Sequence, residues 1–308
     1  MSSYDVIIIG GGPAGLTAGL YLSQAKYRTL LLEKESSGGY IKNVELIENY
    51  PGFSEGISGA NLASAMAKQA TKYGLEIKLV EVNGIDLYTS TQCVNCVDGE
   101  GYTASVIIIA GGSRHKKLGV PGEDILEGKG VFSCALCDGG KFTNKVVAVC
   151  GGGNSGMTEA LYMAKLASKV YLLEAMPKLN ANALLQERAK ANPKMDIRCG
   201  TSIKSMAGNS RLEALECVEI ATGKEYSLPV DGVLVHIGVV PNTGYLEGMV
   251  PLDSGGQIIV NQNMETGTPY VLAAGDIRSG SICQITAAVG DGAVAAVTAQ
   301  KILQKLDS

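Results

Sequence analysis

Tyr4-Asp5-Val6-Ile7-Ile8-Ile9-Gly10-Gly11-Gly12-Pro13-Ala14-Gly15 is the stretch on which the fold of this chain turns. Val6–Ile9 is a short unbroken apolar run, the pattern of a strand buried on both faces. Gly10, Gly12 and Gly15 fit G-x-G-x-x-G, and residues 16–25 read as a helix. A second strand, Thr29-Leu30-Leu31-Leu32, ends at Glu33. Each part has a chemical reason. The glycines let the backbone approach a pyrophosphate, the helix start offers N–H groups and positive potential, and the acid accepts hydrogen bonds from ribose hydroxyls. A lone glycine fingerprint is a weak signal in a glycine-rich chain; strand, helix and spaced acid make it specific.

The unit recurs further along. Residues 145–150, Lys-Val-Val-Ala-Val-Cys, form a second apolar strand, and Gly151-Gly152-Gly153-Asn154-Ser155-Gly156 repeats the fingerprint. A helical pattern over 157–167 and a strand over 169–173 follow, ending at Glu174. From first glycine to acid the spacing is 23 residues in both copies, Gly10 to Glu33 and Gly151 to Glu174. Two structural glycine turns would not need this match. The expectation is an α/β protein with two Rossmann-like nucleotide-binding domains. Two such units suit a flavin nucleotide and a nicotinamide nucleotide whose reacting rings the protein brings together.

Composition narrows the class. The 308 residues suggest about two domains. Apolar residues make up 46%, charged residues 18%, and mean hydropathy is +0.15, enough apolar material for a large core. Net charge is −4, so no basic footprint supports nucleic acid as a partner. Forty glycines are roughly twice the usual share, which fits tight turns and close backbone approaches to ligands. Two histidines and no tryptophan leave little from which to build a histidine-rich metal site, and no metal is expected. Residues 6–25 carry no charge, but Gly10–Pro13 interrupt them, so no membrane span is expected. The first residues lack a basic segment, and no secretory signal is expected. Eight cysteines are too few for a disulfide scaffold; a reducing, cytoplasmic setting follows.

Among the cysteines, Phe132-Ser133-Cys134-Ala135-Leu136-Cys137-Asp138-Gly139 stands out. Two thiols three residues apart close a small disulfide and exchange it with a partner, and the adjacent Asp138 is placed to handle the proton. Structural zinc is an alternative, but it needs two more soft ligands, and Cys93-Val94-Asn95-Cys96 lies too far away for a usual zinc ribbon. Inert core cysteines are a third reading. Cys93 and Cys96 themselves read as strand residues, and Cys150, Cys199 and Cys217, in strand-like runs, as core packing.

On these motifs the sequence resembles the low-molecular-weight thioredoxin reductase family over essentially its whole length. The resemblance is carried by the two glycine fingerprints, Glu48-Asn49-Tyr50-Pro51-Gly52, Cys134–Gly139, Gly238-Val239-Val240-Pro241-Asn242-Thr243, Ala273-Ala274-Gly275-Asp276 and Gln284. It implies a fold of the pyridine nucleotide-disulfide oxidoreductase type, with the second domain inserted in the first. The FAD domain would comprise residues 1–115 and 245–308, and the inserted NAD(H) domain residues 116–244. It also implies a homodimer, thioredoxin or a thioredoxin-like protein as partner, and hinges near residues 113–119 and 241–246. Cys137 would lie beside the flavin, Cys134 would attack the partner's disulfide, and Asp138 would move the proton. Gly10, Gly12, Ala14, Gly15 and Glu33 would hold the ADP half of FAD, and Asn49, Asp276 and Gln284 would lie near the flavin and ribityl chain. Pro13, Lys34, Gly39, Val82, Ala110, Gly111, Gly275 and Ile285 complete the implied FAD set. Gly151, Gly153, Asn154, Ser155, Gly156, Glu174 and Gly238 make up the nicotinamide nucleotide set.

The sequence departs from the family after the second strand of the inserted domain. NADPH-using members carry a basic H-R-R cluster there; this chain has Leu173-Glu174-Ala175-Met176-Pro177. A carboxylate accepts from a free 2′-hydroxyl and repels a 2′-phosphate, which predicts NADH over NADPH. The same segment is similar to the NADH-using flavoprotein of alkyl hydroperoxide reductase, whose extra N-terminal relay domain has no counterpart expected here. The same disulfide reductase fed by ferredoxin or by NADPH, a dithiol oxidase passing electrons to O₂, and a non-enzymatic flavin sensor are the alternatives. Cys283 replaces the family's Arg before Gln284 and reads as a packing residue. Gly111 stands where the family often has Thr.

Overall fold

The computed structural model describes residues 2–89 and 91–306. The chain divides into two units: Met1–Arg114 together with Val240–Ser308, and the intervening His115–Val239.

In the first unit the Ser2–Ile9 strand lies at the centre of a seven-stranded sheet. Thr29–Glu33 pairs with it in parallel on one side and Gly101–Ile109 on the other. Glu76–Leu79 extends the sheet beyond Thr29–Glu33. Gln92–Cys96 and Val82–Leu87 return antiparallel beyond Gly101–Ile109, which also pairs with Val271–Ala273. The unbroken apolar run at 6–9 is explained by cover on both faces, because successive side chains alternate across a strand. Val6 and Ile8 point into a core with Leu16, Leu22, Ile108 and the helix Ile285–Leu306. Ile7 and Ile9 point into the opposite core with Leu30, Ile107, Ile85 and Leu246.

The last helix packs directly on the first. A Cβ at Gly292 would stand 2.2 Å from the Ala14 carbonyl oxygen, so only glycine permits that approach. Ala295, Ala296 and Ala299 beside it are fully buried. The two ends of the chain thus share one core with the helix Pro13–Gln24.

The second unit has a five-stranded parallel sheet in the order Met195–Cys199, Lys169–Glu174, Val146–Cys150, Gly232–Val235, Val131–Phe132. The helix Asn154–Leu166 covers one face through Met157, Ala160, Met163 and Ala164. A three-stranded antiparallel sheet, Thr201–Ala207, Ala214–Glu219 and Glu225–Pro229, contributes Ile203, Leu215 and Leu228 to the core on the other face. A two-stranded ribbon pairs Ser113–His115 with Val239–Pro241, the segments at which the chain passes from one unit to the other.

Two cysteine expectations need correction. Cys199 is exposed, because it ends the edge strand Met195–Cys199, where no further strand covers it. Cys283 is exposed and holds φ +51, a turn position rather than a packing one. Cys93, Cys96, Cys150 and Cys217 are buried free thiols. Burial pushes the Cys96 and Cys217 thiols up to about 11, so they stay protonated and unreactive. Among the described residues, no helix is long and apolar enough to cross a membrane.

Candidate active site

The first glycine turn is built by close backbone approaches. Gly10 has φ +107, and a Cβ there would lie 2.3 Å from the Ala110 carbonyl oxygen. A Cβ at Gly15 would lie 1.9 Å from the Gly10 carbonyl oxygen, so the third glycine lets the helix start tuck under the turn. Gly12, the helix N-cap, has nothing within 4 Å of its Cβ direction, and Pro13 opens the helix. The middle glycine therefore faces open space in front of unpaired helix N–H groups, a cradle suited to a diphosphate. Gly39 closes one side, with its Cβ direction 3.1 Å from Gly12 Cα.

Glu33 is tied to this turn. The Gly11 N–H donates to its Oε2 at 2.7 Å, and the Glu35 N–H to its Oε1 at 3.1 Å. A carboxylate has about four lone-pair positions, so two remain for ribose hydroxyls. Lys34 is exposed beside it, and Val82 is half-buried at the start of its strand. Asn49 and Gln284, far apart in sequence, meet through a 3.1 Å hydrogen bond from Asn49 Nδ2 to Gln284 Oε1. Gly275, with φ +82, approaches Ala14, and its N–H donates to Asp291. Burial pushes the Asp276 carboxyl upward, while Ser281 donates to its Oδ1 at 3.2 Å. Ile285 begins the final helix. At Gly111 a Cβ would meet Ile277, Tyr245 Oη and Asn242 O at ordinary contact distances; the Tyr245 hydroxyl, buried and unpaired, reaches into the space a larger residue would take.

The second turn repeats the construction. Gly151 has φ +113, with its Cβ direction 2.1 Å from the His236 carbonyl oxygen. A Cβ at Gly156 would stand 2.1 Å from Gly151 O, and Gly153 faces open space. Glu174 accepts from the Gly152 N–H and, at 2.8 Å, from the Met176 N–H. Asn154 starts the helix and its Oδ1 accepts from the Asn182 N–H, with Ser155 exposed next to it. A cavity of about 440 Å³ opens here, lined by Gly151–Gly153, Glu174, Asn180, Thr201, His236 and Gly238 among others. No lysine or arginine is among its lining residues.

Cys134 and Cys137 form a disulfide. Cys134 is the N-cap of the short helix Ala135–Asp138, and its Sγ accepts from the Cys137 N–H at 3.0 Å. Cys137 is exposed and Cys134 half-buried. Asp138 pairs with Lys141 at 2.6 Å. Behind the pair, the Ala135 N–H donates at 2.9 Å to the buried Glu159, which lies on the same Asn154–Leu166 helix that the second glycine turn opens. Gly139 permits this packing, since a Cβ there would press on Met163 and Leu166.

The family model for pyridine nucleotide-disulphide oxidoreductases matches residues 4–292. The thioredoxin reductase of Bacillus subtilis (strain 168) is 40% identical over 304 residues, 98% of this chain and 96% of that protein. This chain belongs to the low-molecular-weight thioredoxin reductases. The thioredoxin reductase structure from Lactococcus lactis superposes with a TM-score of 0.96 at 35% identity, covering 98% of this chain and 99% of that one. That of T. acidophilum does so with a TM-score of 0.94 at 33% identity, covering both chains fully.

Several residues of this thioredoxin reductase site escaped the motif reading. Asp291, in the last helix, clamps Arg278 through two hydrogen bonds of 2.6 and 2.9 Å while holding the Gly275 N–H. Glu159 anchors the redox helix. His236 lines the second cavity. Only Glu159 left a sequence signal, an acid on a helix face otherwise occupied by Met157, Ala160 and Met163.

Proposed function

We propose that the protein carries two electrons from NADH to the disulfide of thioredoxin or a thioredoxin-like protein, with FAD held by the first unit. The reading rests above all on Glu174: the cavity beside the second glycine turn is lined by this carboxylate and by no cation. A 2′-phosphate placed there would meet like charge, whereas a free 2′-hydroxyl finds an acceptor. Gly10, Gly12, Ala14, Gly15 and Glu33 would hold the ADP part of FAD, and Asn49, Asp276 and Gln284 its flavin side. FAD, when bound, supplies the two-electron relay between nicotinamide and disulfide.

The chain's own residues perform the exchange. Uptake of two electrons and one proton opens the Cys134–Cys137 bond to one thiolate and one thiol. The Cys137 N–H, already donating to Cys134 Sγ, favours the thiolate at Cys134. That sulfur attacks the partner's disulfide and forms a mixed disulfide; the released partner thiolate takes a proton through Asp138. Cys137 attacks Cys134 Sγ, which restores the disulfide and releases the second partner sulfur as a thiolate that takes the proton Cys137 gives up. The balance is NADH, one proton and one disulfide giving NAD⁺ and two thiols. We place the reaction in the cytoplasm, and the family resemblance carries a homodimer with it, which sedimentation of the holoprotein tests.

The deciding experiment is an anaerobic titration of the flavoprotein with NADH and with NADPH, followed by coupling to thioredoxin. Bleaching of the flavin at lower NADH than NADPH, then thioredoxin reduction, is expected. Equal or inverted preference defeats the reading of Glu174, and bleaching by neither removes a nicotinamide donor.

A further inference from the structure

His236 is a buried side chain that the exchange chemistry does not use. It is 7% exposed, and both ring nitrogens lack a hydrogen-bond partner within the protein. A neutral imidazole carries one donor and one acceptor, and leaving both unpaired in the interior is unfavourable. Its backbone is locked into the second glycine turn. The His236 N–H donates to Cys150 O at 2.8 Å, its carbonyl lies against Gly151, and its Cβ lies 3.5 Å from the Cβ direction of Gly156. The ring of His115 meets it edge to face with centroids 4.6 Å apart.

Sheet order says which part of a ligand it faces. Glu174 ends the strand on one side of Val146–Cys150, and His236 follows the end of the strand on the other side. Both line the same cavity. Ligands of parallel α/β sheets lie across the strand ends where the order reverses. With the adenosine ribose at Glu174, the remainder of the dinucleotide extends past the glycine turn toward His236. We infer that His236 is a dinucleotide-binding residue, hydrogen-bonded to the part of the pyridine nucleotide beyond the adenosine, its distal phosphate and nicotinamide-side ribose. The inference rests on the donor reading above.

The test uses the FAD-loaded protein and its His236→Phe and His236→Gln variants, with FAD content and melting temperature measured alongside. Calorimetric titration with NADH, ADP-ribose and AMP is expected to show His236→Phe weakening NADH and ADP-ribose about 10-fold, about 1.4 kcal/mol. AMP should change less than about 2-fold, and His236→Gln, whose amide also donates and accepts, should recover part of the loss. Undiminished NADH affinity in His236→Phe, or an equal loss for AMP, overturns the assignment. Because the chain has only two histidines, nitrogen-15 spectra of the wild-type rings give an arm that needs no variant. ADP-ribose should shift the ring signals of His236, and unmoved signals under saturation overturn the inference. Wild-type protein that binds neither NADH nor NADPH overturns the donor reading and this inference together, whereas tight binding indifferent to His236 overturns the inference alone.

Discussion

The two glycine turns of this chain are built alike and surrounded differently. In each, the first glycine presses on the carbonyl just past the end of the neighbouring strand, Ala110 in one and His236 in the other. In each, the third glycine sits under the first glycine's own carbonyl, and the strand-end glutamate accepts the N–H of the residue between the first two fingerprint glycines, Gly11 or Gly152, and of the residue two beyond itself. The shared part is backbone mechanics. The surroundings differ: behind the first turn stands a small apolar Ala110, behind the second an imidazole with unpaired nitrogens. On the proposed function the turn would hold a dinucleotide and its flanks would select which one. Each glutamate holds a turn N–H, and on the proposed function replacing either one would remove a ribose acceptor as well.

The largest expected effect separates chemistry from cofactor retention. Cys137→Ser should reduce thioredoxin-disulfide reduction to the uncatalysed background while the protein stays yellow; residual turnover in a thioredoxin-coupled assay would refute the exchange route. Next come the glycines, which should divide by position in the turn and not by domain. Gly15→Ala and Gly156→Ala drive a methyl into a carbonyl at about 2 Å and should each cost more than about 4 kcal/mol. Gly12→Ala and Gly153→Ala, with extended backbone and open space, should alter apoprotein stability by under about 1 kcal/mol. They should nevertheless weaken FAD and NADH respectively, as cofactor content and titration would show. A Gly12 variant that unfolds would break the parallel.

Acid should then distinguish the units. Burial pushes His236 down to about 4, so as pH falls through 6.5 the unfolded chain takes the proton first and the folded state loses stability until about pH 4. The loss attributable to His236 is up to about 3 kcal/mol. Burial lowers His115 in the same direction, and both histidines belong to the second unit. Asp276 in the first unit has the opposite sign: its raised carboxyl pKa favours the folded state as acid is added. Urea unfolding between pH 7 and 4.5 should show the second unit weakening more, with the slope reduced in His236→Phe. The smallest effect concerns coenzyme choice. Glu174→Gln keeps an acceptor for the Gly152 N–H but removes the charge, and should narrow the NADH-to-NADPH affinity ratio by about 10-fold, the scale of one charge-assisted hydrogen bond. An unchanged ratio would leave Glu174 as a turn clamp only.

Much of this was legible in the sequence, because the signals are local. The apolar runs, the glycine spacing, the strand-end acids and the Cys134–Cys137 pair each lie within a short window, where periodicity and turn chemistry decide. The disulfide, the α/β class and the two Rossmann-like units follow from them. Cys199 and Cys283 were misread because exposure depends on which strand is at an edge and where a turn falls, neither of which one strand's pattern reports. Asp291 and His236 left no local signal, and Glu159 only that of an acid on an apolar helix face, since their partners are at Gly275, Gly151 and Ala135, each at least 16 residues away.

By itself, the sequence determined the repeated strand, turn, helix and acid, and the redox pair with its neighbouring carboxylate. Hydrogen bonding and steric freedom over a few residues leave such segments few other conformations. The tertiary structure alone decided that the last helix closes on the first, that Asn49 meets Gln284, and that the second cavity has a carboxylate on one side and an imidazole on the other. Those placements depend on sheet order and on side chains packing across long stretches of chain, and local propensity carries no record of them.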